Sequence, residues 1–283
     1  MKILVTLDTK EYSQKIIKDV ARLANNTLAD IVLLAVQEQS REVSRELTAA
    51  LLKYRQDLYS YFAPEELPYG DNGEDRWEQQ GKGDWTLTAR GMKQCVLRIR
   101  AGSSVSRLAV TTAREMECDL VVLGCSGEAG CEWDGEMNVP LRIAEDSSCP
   151  VLIIKNRTRV NQIVSILDQS VVSQEALEMV NQLVTVHGAG LKIIGVCKSK
   201  ESDRDRLEQR MVELLRYYND RSIDAWVKLI DTDDVREYVT RWSQEGIVAL
   251  WMGGKQSLIR KLFGRSMIDR LLESTRSSLL ILR

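Results

Sequence analysis

A single histidine, His187, serves the whole chain of 283 residues. A multi-histidine metal site therefore cannot be assembled within one chain, and a His-based catalytic triad, with His187 alone to draw on, is disfavoured. The place of His187 in TVHGAG, just before a helix stop, points to a capping role instead. A large net charge is lacking too: the formal value is −2, without the basic surplus of a general nucleic-acid or membrane-surface binder. Cysteines are few, and no two of Cys95, Cys118, Cys125, Cys131, Cys149 and Cys197 stand as a CxxC pair. That excludes a disulfide scaffold and the usual structural zinc spacing. Cys125 and Cys131 share one expected loop, so a thiol switch there is the alternative to buried or incidental thiols. No apolar run approaches the ~20 residues of a membrane helix, and MKILVTLD has neither the apolar core nor the cleavage site of a signal peptide. The expectation is a cytoplasmic protein without membrane insertion.

What is present is an alternation of strand and helix, written twice. With 44% hydrophobic and 28% charged residues the composition is that of a globular protein with room for two ordinary domains. KILVTLD has a strand pattern. SQKIIKDVARLA follows with Ile16, Ile17, Val20, Leu23 and Ala24 on one helical face, and IVLLAVQ is a second strand. Residues 41–62 have helical spacing. CVLRIR, DLVVLG and CPVLIIK are further strands, separated by helices at SSVSRLAVTTAREM and 139–146. Residues 63–94, rich in glycine, proline and acids, are expected to be an inserted, partly disordered loop that Trp77 and Trp85 pin down.

From residue 161 the same order returns: QIVSILD, SQEALEMVNQLVTV, LKIIGVCK, a helix over 203–219, DAWVKLI, a helix over 233–243, IVALWM, a glycine loop with its helix, and SLLILR. KNRTR, 155–159, is the hinge between domains at 1–155 and 160–283. Each half predicts an open parallel sheet of about five strands with helices on both faces. Ligands of such sheets bind at the carboxyl ends of strands where the order reverses. Asp8 and Asp168, ending the first strand of each half, are placed there together with the loop after each fourth strand.

The order of elements, the Asp ending the first strand and the glycine loop before the last helix resemble the universal stress proteins, in a tandem two-domain form covering nearly the whole chain outside 63–94. The resemblance implies the adenine nucleotide alpha hydrolase-like fold, with ATP or another adenine nucleotide, with or without magnesium, held by a G-x2-G-x9-G-[S/T] loop. In this pattern Gly254 and Gly264 match the last two glycines of the second half. Trp251 replaces the first glycine, and Arg265 precedes a displaced Ser266. In the first half Gly124 and Gly127 match, but Met137 and Asn138 replace the final pair, and Pro140 removes an N–H from the next helix start. Asn138 is expected to cap that helix.

Charge separates the two loops. Residues 124–136 carry Glu128, Glu132, Asp134 and Glu136 and no base, whereas 253–266 carry Lys255, Arg260, Lys261 and Arg265 and no acid. At about 0.5–1 kcal/mol per solvated charge near a phosphate, the swing is several kcal/mol. The nucleotide site is therefore expected at Asp168, Gly254, Lys255, Gly264, Arg265 and Ser266, with Asp8, Gly124 and Gly127 as a degenerate first-half site. Blander roles stand beside these: a solvated turn for the basic loop, a helix cap for Asp168, turn glycines at 124 and 127, and a core or dimer contact for Trp251.

Two function classes follow. One is a non-catalytic stress-response or regulatory protein switched by the nucleotide in its second domain. The other is a protein-interaction scaffold in which neither pocket binds nucleotide. Enzymes of related folds are disfavoured: LDTKEYS and LDQSVVS lack an SGGxDS-like loop, and one histidine cannot make an HIGH-like motif. Slow ATP hydrolysis stays open. CPVLIIK and SLLILR are apolar edge candidates. The resemblance implies that they pair, giving an internal pseudo-dimer, with a homodimer and an unnamed protein partner left open.

Overall fold

A computed structural model describes the chain except residues 41, 71–75, 126–132, 134–135, 137, 156–159, 168–171, 198–200, 243–245 and 252–275. Two compact units result, Met1–Asn156 and Arg157–Arg283. The first runs β1 (Lys2–Leu7), α1 (Glu11–Thr27), β2 (Asp30–Gln37), α2 (Arg45–Tyr59), a 3-10 turn (Pro64–Glu66), β3 (Glu78–Gly81), β4 (Asp84–Arg90), β5 (Gln94–Ala101), α3 (Val105–Glu115), β6 (Leu120–Cys125), α4 (Val139–Asp146) and β7 (Val151–Lys155). Its strand order is β7-β6-β1-β2-β5-β4-β3. The pairs from β7 to β5 are parallel, and β4 pairs antiparallel with both β5 and β3.

The second unit runs β8 (Gln162–Leu167), α5 (Gln174–His187), β9 (Gly190–Cys197), α6 (Glu201–Asn219), β10 (Ala225–Asp231), α7 (Val235–Trp242), β11 (Ile247–Trp251) and β12 (Ser278–Leu282). Its order is β10-β9-β8-β11-β12, parallel throughout. The helix expected after β11 lies outside the described residues.

The apolar stripes explain the packing. Ile16, Ile17, Val20, Leu23 and Ala24 of α1 are all buried, which is the face a 3.6-residue period brings together. The central strands are apolar on both faces because helices cover both. The two repeats even stop their first helix alike, with a left-handed residue after it: Leu28 (φ 48) in the first and Gly188 (φ 58) in the second. Glycine takes that conformation without the side-chain crowding that leucine meets. His187 is the last residue of α5, directly before this cap.

Residues 63–94 correct the expectation of an inserted loop. Trp85, Leu87 and Ala89 are buried at every second position of β4, a period that specifies a half-buried strand. The hairpin β3–β4 extends the parallel sheet by two antiparallel strands. Asn138 is a second correction. It sits in the left-handed region (φ 61, ψ 30) and its side chain makes no cap hydrogen bond, since a capping oxygen reaches the first-turn amides from an extended backbone. Pro140 does lie in the first turn of α4.

Candidate functional site

In each unit the strand order reverses beside the first strand, between β1 and β6 and between β8 and β11. Asp8 and Gly124 therefore stand at the carboxyl ends of adjacent strands, as their positions in the sequence imply. Gly127, Asp168, Gly254, Lys255, Gly264, Arg265 and Ser266 lie outside the described residues.

Side chains of the first unit pack on one another at this point. Asp8 is only 4% exposed, and its carboxylate accepts hydrogen bonds from the Ser13 hydroxyl at 2.6 Å, the Lys10 N–H at 3.0 Å and the Tyr12 hydroxyl. The Asp8 carbonyl accepts from the Tyr54 hydroxyl of α2 at 2.8 Å. Burial, helped by the charges of Asp8 and Asp57, pushes the Tyr54 phenol up to about 12. Tyr12 packs on Trp133 with ring centroids 5.5 Å apart. Trp133 is 1% exposed, and its Nε1 finds no hydrogen-bond partner, so it is held by shape rather than by polar contact. Gly124 completes the fit, because a Cβ there would stand 3.0 Å from both the Tyr12 ring and its carbonyl oxygen and 3.2 Å from Ile16. Glycine at 124 thus serves the approach of α1 to β6.

A paired turn joins Trp133 to Glu136, each N–H bonding the other's carbonyl at 3.1 and 2.7 Å. It sets the Glu136 carboxylate on the start of α3. There it accepts from the Val105 N–H at 2.5 Å, the Ser106 hydroxyl at 2.6 Å and the Ser104 hydroxyl at 3.1 Å, with Arg142 Nη1 at 3.3 Å. A helix N-terminus favours an anion, and this one already holds an internal anion. Burial opposes ionisation of Glu136, but the bonds from Ser106, Val105 and Ser104 outweigh it and hold the carboxyl below its usual range.

A carboxyl depressed in the folded state contributes stability that is present above its unfolded pKa and lost as pH falls through its folded one. Acid titration of unfolding should therefore show a flatter loss of stability for Glu136→Gln than for the parent chain on the acid side of the ordinary glutamate range. Identical pH slopes would exclude Glu136 from acid sensitivity.

At the corresponding positions of the second unit the sizes of the side chains are reversed. Without gaps, Lys2–Leu7 aligns on Gln162–Leu167, which places Val5 with Ser165, Tyr12 with Val172 and Ile16 with Ala176. The registers Thr6↔Leu123 and Ile166↔Leu250 place Gly124 with Trp251. Large residues on the helix side and glycine on the strand become Val172, Ala176 and a strand tryptophan, all buried. The Trp251 Nε1–H donates to Ser165 Oγ at 2.7 Å. Trp251 is thus a core residue, one of the roles its sequence position allows. The N-cap of α5 is Ser173, whose oxygen accepts from the Ala176 N–H at 3.2 Å.

Sequence reading missed Tyr12, Trp133, Ser104 and Ser106, and it counted Glu136 only as repulsive charge. The one available signal was SSVS before an apolar helix, a start rich in capping hydroxyls. Cys125, at the end of β6, is disulfide-bonded, so it is not an incidental thiol, while Cys131 lies outside the described residues. Cys95 and Cys118 are free thiols pushed up to about 12 chiefly by burial. Among the described residues no group of three His, Cys, Asp or Glu side chains could hold a metal ion. No helix among them is long and apolar enough to cross a membrane.

Two α/β units, each with its first strand at the reversal of strand order, define a tandem architecture. Residues 1–155 match the universal stress protein family, and the chain belongs to that family. Solved structures agree on the fold over nearly the full length. A provisionally assigned universal stress protein from Pseudomonas aeruginosa UCBPP-PA14 superposes with a TM-score of 0.64 at 14% identity, covering 99% of this chain and 92% of that one. A functionally unknown protein from Pseudomonas aeruginosa PAO1 gives 0.63 at 14% identity over the same shares. A universal stress protein from Archaeoglobus fulgidus DSM 4304 gives 0.60 at 13% identity, covering 100% and 96%. No curated protein matches the chain.

Proposed function

We propose that this chain is a cytoplasmic, non-catalytic regulatory protein of the stress response, whose first unit keeps the fold without a ligand and whose second binds an adenine nucleotide. The observation that carries the reading is the first cleft, where Asp8, Tyr12 and Trp133 occupy one another. With that cleft filled, nucleotide binding falls to the second unit, whose loop 253–266 has four bases and no acid. Gly254, Gly264 and their neighbours would offer backbone N–H groups to the phosphates of ATP or AMP, and Lys255, Arg265 and Ser266 would add charge and a hydroxyl, opposite Asp168. Magnesium would accompany a triphosphate. Binding would change the surface that a protein partner reads, a switch rather than a reaction. Calorimetry with ATP tests this: the double variant Arg265→Ala, Ser266→Ala is expected to weaken binding by about tenfold or more, because it removes two charge-assisted hydrogen bonds to phosphate. Unchanged affinity in that variant would sink the site.

One observation favours a second reading, the interaction scaffold. Trp251 stands where the loop motif begins with glycine, and it is buried. A chain that leaves cells free of nucleotide and shows no thermal shift with millimolar ATP or AMP would select the scaffold.

A further inference from the structure

The two units treat corresponding strands differently. In the first, β4 covers β5 along its whole length, from Asp84↔Arg100 to Arg90↔Gln94, and Cys95, Leu97 and Ile99 are 0% exposed. Arg98 forks onto the Asp84 carboxylate, with Nε to Oδ1 at 2.9 Å and a second bond from Nη2 to Oδ2. In the second unit β10 pairs with β9 on one side, and among the described residues no strand lies on its other side. Only residues 220–224 connect α6 to β10, whereas the corresponding connection between α2 and β5 contains the β3–β4 hairpin.

The registers make the comparison residue by residue. Arg98 stands opposite Leu34, the fifth residue of β2, and Lys228 stands opposite Ile194, the fifth residue of β9. Ala225, Val227 and Leu229 then correspond to Cys95, Leu97 and Ile99, and all three are partly exposed. Trp226 is 41% exposed. Lys228 lies over the Tyr238 ring at 5.1 Å, and among the described residues no carboxylate pairs with it. Beside it opens a cavity of about 360 Å³ whose charged lining is mixed, Arg204, Lys228 and Arg241 with Asp231, Asp234 and Glu237. A cation, an apolar row and an open edge thus stand where the first unit has a salt bridge, a buried row and a covering strand.

We propose that the free edge of β10 docks an extended segment of a partner protein. The segment adds as an antiparallel strand, with apolar residues at alternate positions and a carboxylate set against Lys228. Main-chain hydrogen bonds supply affinity, while the alternating side chains and the Lys228 pair set the register. A second copy of β10 fits worse: the symmetric antiparallel pairing that uses the whole strand centres on Lys228 and puts two lysines face to face.

The test uses the full chain and a synthetic peptide of residues 77–91, WEQQGKGDWTLTARG, which carries the hairpin that covers β5. Hydrogen exchange should find the outward amides of β10 fast and those of β5 slow in the free chain, and the peptide should slow exchange across 225–231. Lys228→Glu, at an exposed position, should weaken peptide binding by at least about fivefold, with the circular dichroism of the free variant checked against the parent. A peptide carrying Asp84→Lys should restore binding to that variant. β10 amides already slow in the free monomer, no protection at millimolar peptide, or binding indifferent to both charge reversals would each overturn the proposal. So would a concentration-dependent dimer that protects β10 without peptide, which would assign the edge to a second copy.

Discussion

Trp133→Ala is expected to destabilise the first unit by about 3–5 kcal/mol, the range for deleting a large buried aromatic and leaving its cavity. Trp133 is 1% exposed and packs on Tyr12, whose hydroxyl in turn binds Asp8. Its removal takes away the lateral support of that bond as well as the indole's own packing. Urea unfolding followed by circular dichroism should show the transition of the first unit moving to lower denaturant while that of the second stays in place. Trp133→Phe discriminates the cause. Since the indole Nε1 has no partner, phenylalanine loses no hydrogen bond and should retain most of the stability, at a cost of about 1–2 kcal/mol for the smaller ring. Equal and small effects from both variants would mean that Trp133 does not act as a filler.

Much of the fold was legible because it rests on period. The α1 stripe from Ile16 to Ala24 and the near-continuous apolar strands repeat what packing on a two-sided sheet requires. The β3–β4 hairpin was hidden by its flanks, although Trp85, Leu87 and Ala89 alternate as a strand should. The glycines, proline and acids on either side dominate any window wide enough to show a period. At the site, sequence placed Asp8 and Gly124 on adjacent strand ends but could not show what fills the space between α1 and β6. Tyr12 and Trp133 stand near opposite ends of the first unit's sequence and meet only after folding. Glu136 illustrates the same limit. Counted as charge it repels a phosphate, whereas in the folded unit it takes the helix terminus for itself.

Trp251→Ala should destabilise the second unit by about 3–5 kcal/mol, again through lost transfer free energy and a retained cavity. Ser165 adds to the effect, because its hydroxyl is buried and loses the indole N–H as a partner. The converse variant Ser165→Val, which restores the first repeat's residue, should cost about 1–3 kcal/mol by leaving the indole N–H unpaired. The comparison between repeats supplies a sharper check. If the two units fill one space by opposite routes, then Trp251→Gly should be partly rescued by Val172→Tyr with Ala176→Ile, the first unit's arrangement of large helix residues against a glycine. No rescue would mean that the two spaces are not equivalent. ATP calorimetry on Trp251→Gly then separates the two functional readings at one residue. Tighter binding than in the parent would show the indole occupying the ligand's place. Unchanged affinity beside lost stability would show that the indole serves the core and does not occupy the ligand's place.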